Sequence, residues 1–218
     1  MLFPSRKGSQ NILFYFFSTL YPYLIIFSLF FRPGPVYAGP ALTVRHDVNV
    51  DSKNNVGQSV PPRKFDVKIS LLKNKDYYWS LLSSINKAGK EISASMYLFK
   101  TSSSHAGRAD KLLDALARAA GRGVKVDFIL DESGNRRSGI GAINRKTSKR
   151  MIKEGINVRF DDLRKTTHTK VIVIDRKTVF LGSHNLTNSA LQYNNEISVK
   201  IESAEVAETV LAYLEGIE

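Results

Sequence analysis

The stretch TTHTKVIVID, residues 166–175, joins an apolar run to two polar side chains that precede it. Residues 171–174 are apolar without interruption, which is typical of a buried strand. His168 and Lys170 lie two positions apart, and residues two apart in a strand share one face. A core strand has no structural need for an imidazole and an ammonium group. The stretch therefore predicts a buried strand that carries a functional site at its start.

Strands and helices alternate on both sides of this stretch. Apolar residues at period two predict strands, and apolar stripes at helical spacing predict helices. The predicted strands span 65–72, 91–99, 124–130, 156–160, 170–174, 178–182 and 196–201. The predicted helices span 75–90, 108–123, 142–155 and 204–218. This order predicts an α/β fold with a mixed, mostly parallel sheet flanked by helices, within one domain at 63–218.

A second group of polar residues follows the next predicted strand. In GSHNLT, Ser183 and Asn185 share one face, and Gly182 allows a close approach of backbone. Further on, Glu196 opposes an apolar face in NNEISVKI. The ends of adjoining strands would thus collect an imidazole, an ammonium, a hydroxyl, an amide and a carboxylate.

These groups match the needs of phosphodiester cleavage. The phosphate resists attack until its oxygens are neutralised, and an ammonium with amide and hydroxyl donors does this without a metal. An imidazole can attack phosphorus, a carboxylate can orient it, and a second acid must protonate the departing oxygen. The chain has no cysteine, which excludes disulfides, thiolate metal sites and a cysteine nucleophile.

The pattern His168-x-Lys170-x4-Asp175, followed by Gly182-Ser183-x-Asn185, resembles the HKD motif of the phospholipase D superfamily. Glu196 in NNE resembles the corresponding residue of the small bacterial Nuc-type endonucleases. The resemblance runs from about residue 65 to residue 218 and implies a phospholipase D-like α-β-α sandwich. Family members with two motifs build one site between them, whereas this chain has a single motif. The resemblance therefore implies a homodimer through the HKD site.

The resemblance also implies a role for each residue. One copy of His168 would be the nucleophile that forms a phosphohistidine, and the other copy would be the general acid. Lys170 and Asn185 would bind the non-bridging oxygens, Ser183 would contact the phosphate, and Glu196 would orient His168. Asp175 belongs to the catalytic motif, although its position before a turn favours a hydrogen-bonding role. No metal or cofactor is implied.

Charge favours a nucleic acid as the substrate. The chain has a formal net charge of +12, and residues 132–170 hold eleven basic residues against four acidic ones. Arg136, Arg137, Arg164 and Lys165 are the candidate contacts to the phosphate backbone. We therefore expect a sequence-nonspecific, metal-independent endonuclease that acts on DNA or RNA. The alternatives are a phospholipase D or cardiolipin-type lipid hydrolase, and a module that binds nucleic acid without cutting it.

The N-terminal residues have the pattern of an export signal. Two positive charges precede an uncharged apolar run, and Val36-Tyr37-Ala38 provides a cleavage site. Residues 1–38 are expected to be a signal peptide or an N-terminal anchor, with membrane attachment through residues 12–31. Residues 39–62 are expected to be a flexible linker. The domain would then be periplasmic or secreted, or held at the inner membrane outside the cytoplasm.

Overall fold

The computed structural model describes residues 42–43, 67–102, 104, 106–133 and 139–218. The expected signal or anchor at 1–38, most of the expected linker, and both Arg136 and Arg137 lie outside these residues. The strands are β1 (Leu42–Thr43), β2 (Lys68–Lys73), β3 (Glu91–Met96), β4 (Phe99–Lys100), β5 (Lys125–Leu130), β6 (Asn157–Phe160), β7 (Lys170–Ile174), β8 (Thr178–Gly182), β9 (Leu186–Thr187) and β10 (Ile197–Glu202). The helices are α1 (Lys75–Lys87), α2 (Arg108–Gly121), α3 (Ile140–Lys153), α4 (Asn188–Gln192) and α5 (Ala204–Glu215).

Eight strands form one mixed sheet in the order β1-β2-β10-β8-β7-β3-β5-β6. Only β3, β5 and β6 run parallel, joined by the crossover helices α2 and α3. Every other pairing within this sheet is antiparallel, so the expectation of a mostly parallel sheet is wrong. The reason is that β7 enters the sheet from a loop rather than from a crossover helix, and β8 follows it through a tight hairpin. β4 and β9 form a separate pair, which is parallel. Two residues of the expected linker form β1, which pairs with β2.

Helices cover both faces of this sheet, which confirms the expected α/β class. Buried side chains of α1 and α2 pack with Ile172, Ile174 and Phe180 on one face. Leu211 and Leu214 of α5 pack on Val171, Val173 and Val179 on the other face. All five residues of β7 are buried, so this strand lies between the two apolar layers. Because both faces of β7 are covered, its polar residues can reach the surface only at the start of the strand.

Two local features set the geometry on either side of β7. The hairpin to β8 has positive φ at both central residues, Asp175 and Arg176, as a type I′ turn requires. At the far end of β8, a Cβ on Gly182 would lie 2.3 Å from Ser198 Oγ. Only glycine permits β8 and β10 to approach this closely. Among the described residues, no helix combines the length and apolarity needed to cross a bilayer.

Candidate active site

Two buried carboxylates hold the segment that leads to His168. Asp131 and Asp161 follow β5 and β6 and are 0% and 5% exposed. Both accept a hydrogen bond from the Thr167 backbone N–H, at 2.8 Å and 3.0 Å. The Tyr97 backbone N–H donates to the Thr169 carbonyl at 2.8 Å, and the hydroxyls of Ser95 and Thr169 are 2.5 Å apart. The backbone on both sides of His168 is therefore tied to the parallel part of the sheet.

His168, Lys170 and Tyr97 form one half of the site. The exposed His168 ring packs edge-on against the Tyr97 ring, with 4.3 Å between centroids. Lys170 is 8% exposed, its Nζ lies 4.8 Å from the centre of the Tyr97 ring, and it donates to the His168 carbonyl at 2.9 Å. No hydrogen bond among the described residues involves the His168 imidazole nitrogens. Tyr97 thus packs against the imidazole and leaves both imidazole nitrogens free to bind a ligand.

The charge of Lys170 is balanced by its surroundings. Burial lowers the pKa of Lys170, and the carboxylates of Glu196 and Asp131 act in the opposite direction. A buried ammonium beside two carboxylates keeps much of its interaction strength, because little water screens it. Lys170 is therefore suited to neutralise a phosphate oxygen at this edge of the sheet.

Ser183 and Glu196 form the other half of the site. The Ser183 hydroxyl donates to the Glu196 carboxylate and accepts from the Ile197 N–H at 3.1 Å. Asn74 binds the Glu196 backbone on both sides, with its N–H donating at 2.9 Å and its side-chain oxygen accepting at 2.8 Å. Within the described part of the chain, no hydrogen bond joins Glu196 to His168. Glu196 instead interacts with the other half of the site through the attraction between its negative charge and the Lys170 ammonium.

The Asn185 amide is held at the site without a partner. Its Oδ1 is buried, and no hydrogen bond from the described residues reaches either atom of the amide. The Leu186 N–H donates to the Leu98 carbonyl at 3.0 Å, which holds Asn185 beside the strand end that carries Tyr97. A buried acceptor without a partner costs about 1–3 kcal/mol, which favours a ligand-binding role for this side chain.

His184 lies between Ser183 and Asn185 but points into the protein. It is 1% exposed and its ring stacks on Tyr77 at 4.2 Å. Nε2 lies 2.9 Å from the Asn74 carbonyl, which can only accept, so Nδ1 accepts from the Ser198 hydroxyl at 2.7 Å. Burial lowers the pKa of His184, against the Asn74 carbonyl and the Glu196 charge, which raise it. The imidazole is thus a neutral structural link behind the site.

Asp175 is not brought to the site. It lies at the opposite end of β7 from Lys170, where its carboxylate accepts hydrogen bonds from the backbone of Gly89, Lys90 and Glu91. A cleft of about 220 Å³ near this end is lined by none of the predicted site residues. Asp175 therefore stabilises the turn and lies away from the other predicted site residues.

The basic residues divide into paired and accessible ones. Arg150 binds Asp110 at 2.8 Å and Asp114 at 2.7 Å, and Arg145 binds Glu132 at 2.6 Å. These two arginines join elements of the fold, so they are not the free phosphate contacts that charge counting suggests. Arg164 pairs with Asp162 but its side chain is 89% exposed, and Lys165 is exposed beside His168. Both predicted contacts therefore remain accessible.

The sequence did not point to Tyr97, Asp131 or Asp161 as site residues. Tyr97 follows β3, which pairs with β7 so that Met96 faces Lys170. The acids follow β5 and β6, and their position at strand ends was the only available signal. No group of three or more His, Asp or Glu among the described residues is arranged to hold a metal ion.

Comparison with known proteins connects this geometry to a family. Residues 81–217, more than half of the chain, match the family described as "Cardiolipin synthase, PLD-like domain". A phospholipase D of Rickettsia felis is 39% identical over 108 residues, which are 48% of this chain and 50% of that protein. A cardiolipin synthase of Clostridium perfringens is 30% identical over 130 residues, 54% of this chain and 25% of that protein. The chain thus spans about half the length of the Rickettsia relative.

A solved structure shares the fold over most of its own length. Nuc, a phospholipase D family member from Salmonella typhimurium, is 27% identical with a TM-score of 0.58, covering 68% of this chain and 92% of that chain. This likeness agrees with the mixed sheet and its flanking helices, and the family match includes every residue of the HKD pattern. The chain belongs to the phospholipase D superfamily, as a PLD-like domain with one HKD motif.

Proposed function

We propose that the protein is a metal-independent phosphodiesterase, and that its substrate is a nucleic acid. The observation that carries this proposal is the set of unpartnered groups at one edge of the sheet. The His168 imidazole and the Asn185 amide have no hydrogen-bond partner among the described residues, and the buried Lys170 interacts with the charge of Glu196. A diester phosphate fits these groups, because its oxygens accept from the Lys170 ammonium and the Asn185 Nδ2 group, and its phosphorus can be attacked by the free imidazole.

The first chemical step would be attack of the His168 imidazole on phosphorus. A phosphorus–nitrogen bond forms while the bond from phosphorus to the departing oxygen breaks. Lys170 and Asn185 stabilise the charge on the non-bridging oxygens. Ser183 and Glu196 line the other half of the site. The departing oxygen needs a proton, and no second imidazole stands beside His168 among the described residues.

A second copy of the chain would supply that proton. His168 of the partner subunit, as imidazolium, protonates the departing oxygen and becomes neutral. It then takes a proton from a water molecule, whose oxygen attacks phosphorus and breaks the phosphorus–nitrogen bond. Both imidazoles return to their starting states, so the cycle balances without an added cofactor.

A sheet face next to the site supports the homodimer. Leu71, Val199 and Leu181 lie side by side on three adjacent strands, and Ile197 is two positions from Val199 on the same face. Leu71, Ile197 and Leu181 are 58%, 54% and 43% exposed, since α5 covers only the neighbouring part of this face. We call these four residues the apolar strip. A second copy would bury the strip and bring its HKD residues to the same phosphate.

Charge favours nucleic acid over lipid. Residues 39–218 carry 29 basic and 20 acidic residues, and the exposed Arg164 and Lys165 lie on the loop that leads to His168. Such an arrangement suits a repeating phosphate backbone. The likeness to Nuc supports the same choice. The lipid alternative is supported by the names of the Rickettsia and Clostridium relatives and by the apolar strip, which could face a bilayer.

The deciding experiment tests the purified full-length chain on nucleic acid and on lipid with excess EDTA. We expect cleavage of plasmid DNA or RNA, and a loss of about 10⁴-fold or more in His168→Ala because the nucleophile is absent. Lys170→Ala should lose about 10²–10³-fold. Lys177→Ala is the matched control, since Lys177 is an exposed lysine in the hairpin at the other end of β7.

The remaining outcomes separate the alternatives. Turnover of phosphatidylcholine or cardiolipin vesicles with intact DNA would identify a lipid hydrolase. Tight binding of DNA without any product, in the presence or absence of EDTA, would identify a binding module. Full activity of His168→Ala would contradict a phosphohistidine mechanism on any substrate.

A further inference from the structure

A cleft of about 200 Å³ opens beside His168. One wall is the loop that carries Asp162, Lys165 and Thr166, and the other is the C-terminal end of α5 with Tyr213 and Glu218. The cleft therefore begins at the nucleophile and leads away from it along the protein surface. A group attached to a phosphate bound at His168 would lie next to this cleft.

Tyr213 presents an aromatic ring to this cleft from a rigid helix. Tyr213 is 59% exposed, and no hydrogen bond or ring contact engages its side chain among the described residues. The opposite face of α5 is fixed to the sheet by Leu211 and Leu214. Arg159 donates to the Leu214 carbonyl at 2.8 Å, and the Asp162 N–H donates to the Glu218 carbonyl at 2.9 Å. The helix that carries Tyr213 is thus held in place, while the ring itself has no structural partner.

The charges around the ring suit one phosphate. Lys165 is exposed and makes no ion pair among the described residues. Arg164, which precedes it, is held by the Asp162 carboxylate. Glu218 adds a negative side chain on the opposite wall. An aromatic platform beside one free ammonium is the combination that proteins use for a base and its phosphate.

We propose that this cleft binds the nucleoside next to the scissile phosphate, with its base stacked on Tyr213 and its outer phosphate at Lys165. The proposal rests on the nuclease function argued above. A base stacked on a side chain must leave its neighbours in the strand, which is least costly when the base is unpaired. The protein should therefore prefer single-stranded polynucleotide to duplex of the same sequence.

The test compares Tyr213→Ala and Tyr213→Phe on three substrates. These are a single-stranded oligonucleotide, its duplex, and methyl 4-nitrophenyl phosphate, a diester without a base. We expect kcat/KM on the single strand to fall about tenfold or more in Tyr213→Ala and to stay within about twofold in Tyr213→Phe. Turnover of the small diester should stay within about twofold in both, which also verifies that the site is folded.

Tyr193→Ala is the matched control, because Tyr193 is 75% exposed and does not line the cleft. It should leave the ratio of oligonucleotide to small-diester activity unchanged. Equal ratios in Tyr213→Ala and the wild type would overturn the inference while leaving the nuclease function intact. Turnover of the small diester by a wild type that cleaves no nucleic acid would instead overturn the nuclease function, and the inference with it.

Discussion

The Asp175 carboxylate accepts backbone hydrogen bonds at the end of β7 that is remote from Lys170. Burial alone would raise its pKa, but the N–H groups of Lys90, Gly89 and Glu91 outweigh burial and lower it. Asp175 also has φ of 53°, a conformation that asparagine and aspartate tolerate better than most residues. One residue thus closes the hairpin and ties it to the start of β3.

Asp175→Ala should therefore lower stability and leave chemistry nearly unchanged. We expect a loss of about 2–3 kcal/mol at pH 7 by urea unfolding, with kcat of the folded enzyme within about twofold of wild type. A lowered folded pKa stabilises the protein above the unfolded value of about 3.9, so the difference should shrink as pH falls below about 4. Asp175→Asn, which keeps one acceptor, should lose less. A fall in kcat as large as that of Lys170→Ala would contradict this assignment.

Single residues of the site differ in how well the sequence identifies them. His168, Lys170 and Ser183 stand out because polar groups at period two next to an apolar strand have no packing role. Tyr97 gives no such signal, because its contact with His168 depends on the pairing of Met96 with Lys170 across the sheet. Contacts made by strand pairing are not encoded in the spacing along one strand.

At the scale of elements, His184 joins three parts of the fold behind the site. It sits after β8, its Nδ1 meets Ser198 of β10, and its Nε2 meets Asn74, the residue before α1. Asn74 has φ of 50° and holds the Glu196 backbone from both sides. The position of Glu196 therefore depends on a buried, neutral imidazole one residue away from Ser183.

His184→Phe should keep the ring on Tyr77 and remove both hydrogen bonds. We expect a loss of about 1–3 kcal/mol at pH 7.5 and a several-fold fall in kcat/KM through Glu196. In the wild type, a folded pKa below the unfolded value of about 6.5 means that stability falls as pH drops from about 7 toward 5. Urea unfolding across this range should show a flatter profile in the variant. Parallel profiles would show that His184 charges freely in the fold.

The helices and most strands were predictable, whereas their arrangement was not. α1, α2 and β7 agree with prediction to within a few residues, because each has a strong apolar period. The short α4 and β9 were missed, since five and two residues carry no measurable period. The number of parallel strand pairs was overestimated, because alternating strands and helices suggest a crossover helix before each strand. A loop leads into β7 instead, and β7 pairs antiparallel with β3.

At the scale of the whole molecule, the proposed mechanism needs two imidazoles, and one chain supplies one of them. Its single HKD motif supplies one imidazole, and the apolar strip beside it leaves Leu71 and Ile197 more than half exposed. Contact between two copies at this place would explain both the exposed apolar strip and the presence of one imidazole per chain. Homodimerisation would then be a requirement of catalysis, and the strip would set the distance between the two His168 rings.

Mixing active and inactive subunits tests this requirement directly. If each site needs two His168 residues, co-refolded wild type and His168→Ala should show activity that follows the square of the wild-type fraction. An equal mixture would have about one quarter of the activity of the same total amount of wild type, because only wild-type pairs are complete. Adding Leu181→Glu and Ile197→Glu to the inactive subunit should prevent pairing and restore a linear dependence, with about half the activity in the equal mixture. Linear dependence without those two changes would mean that one chain cleaves the diester alone.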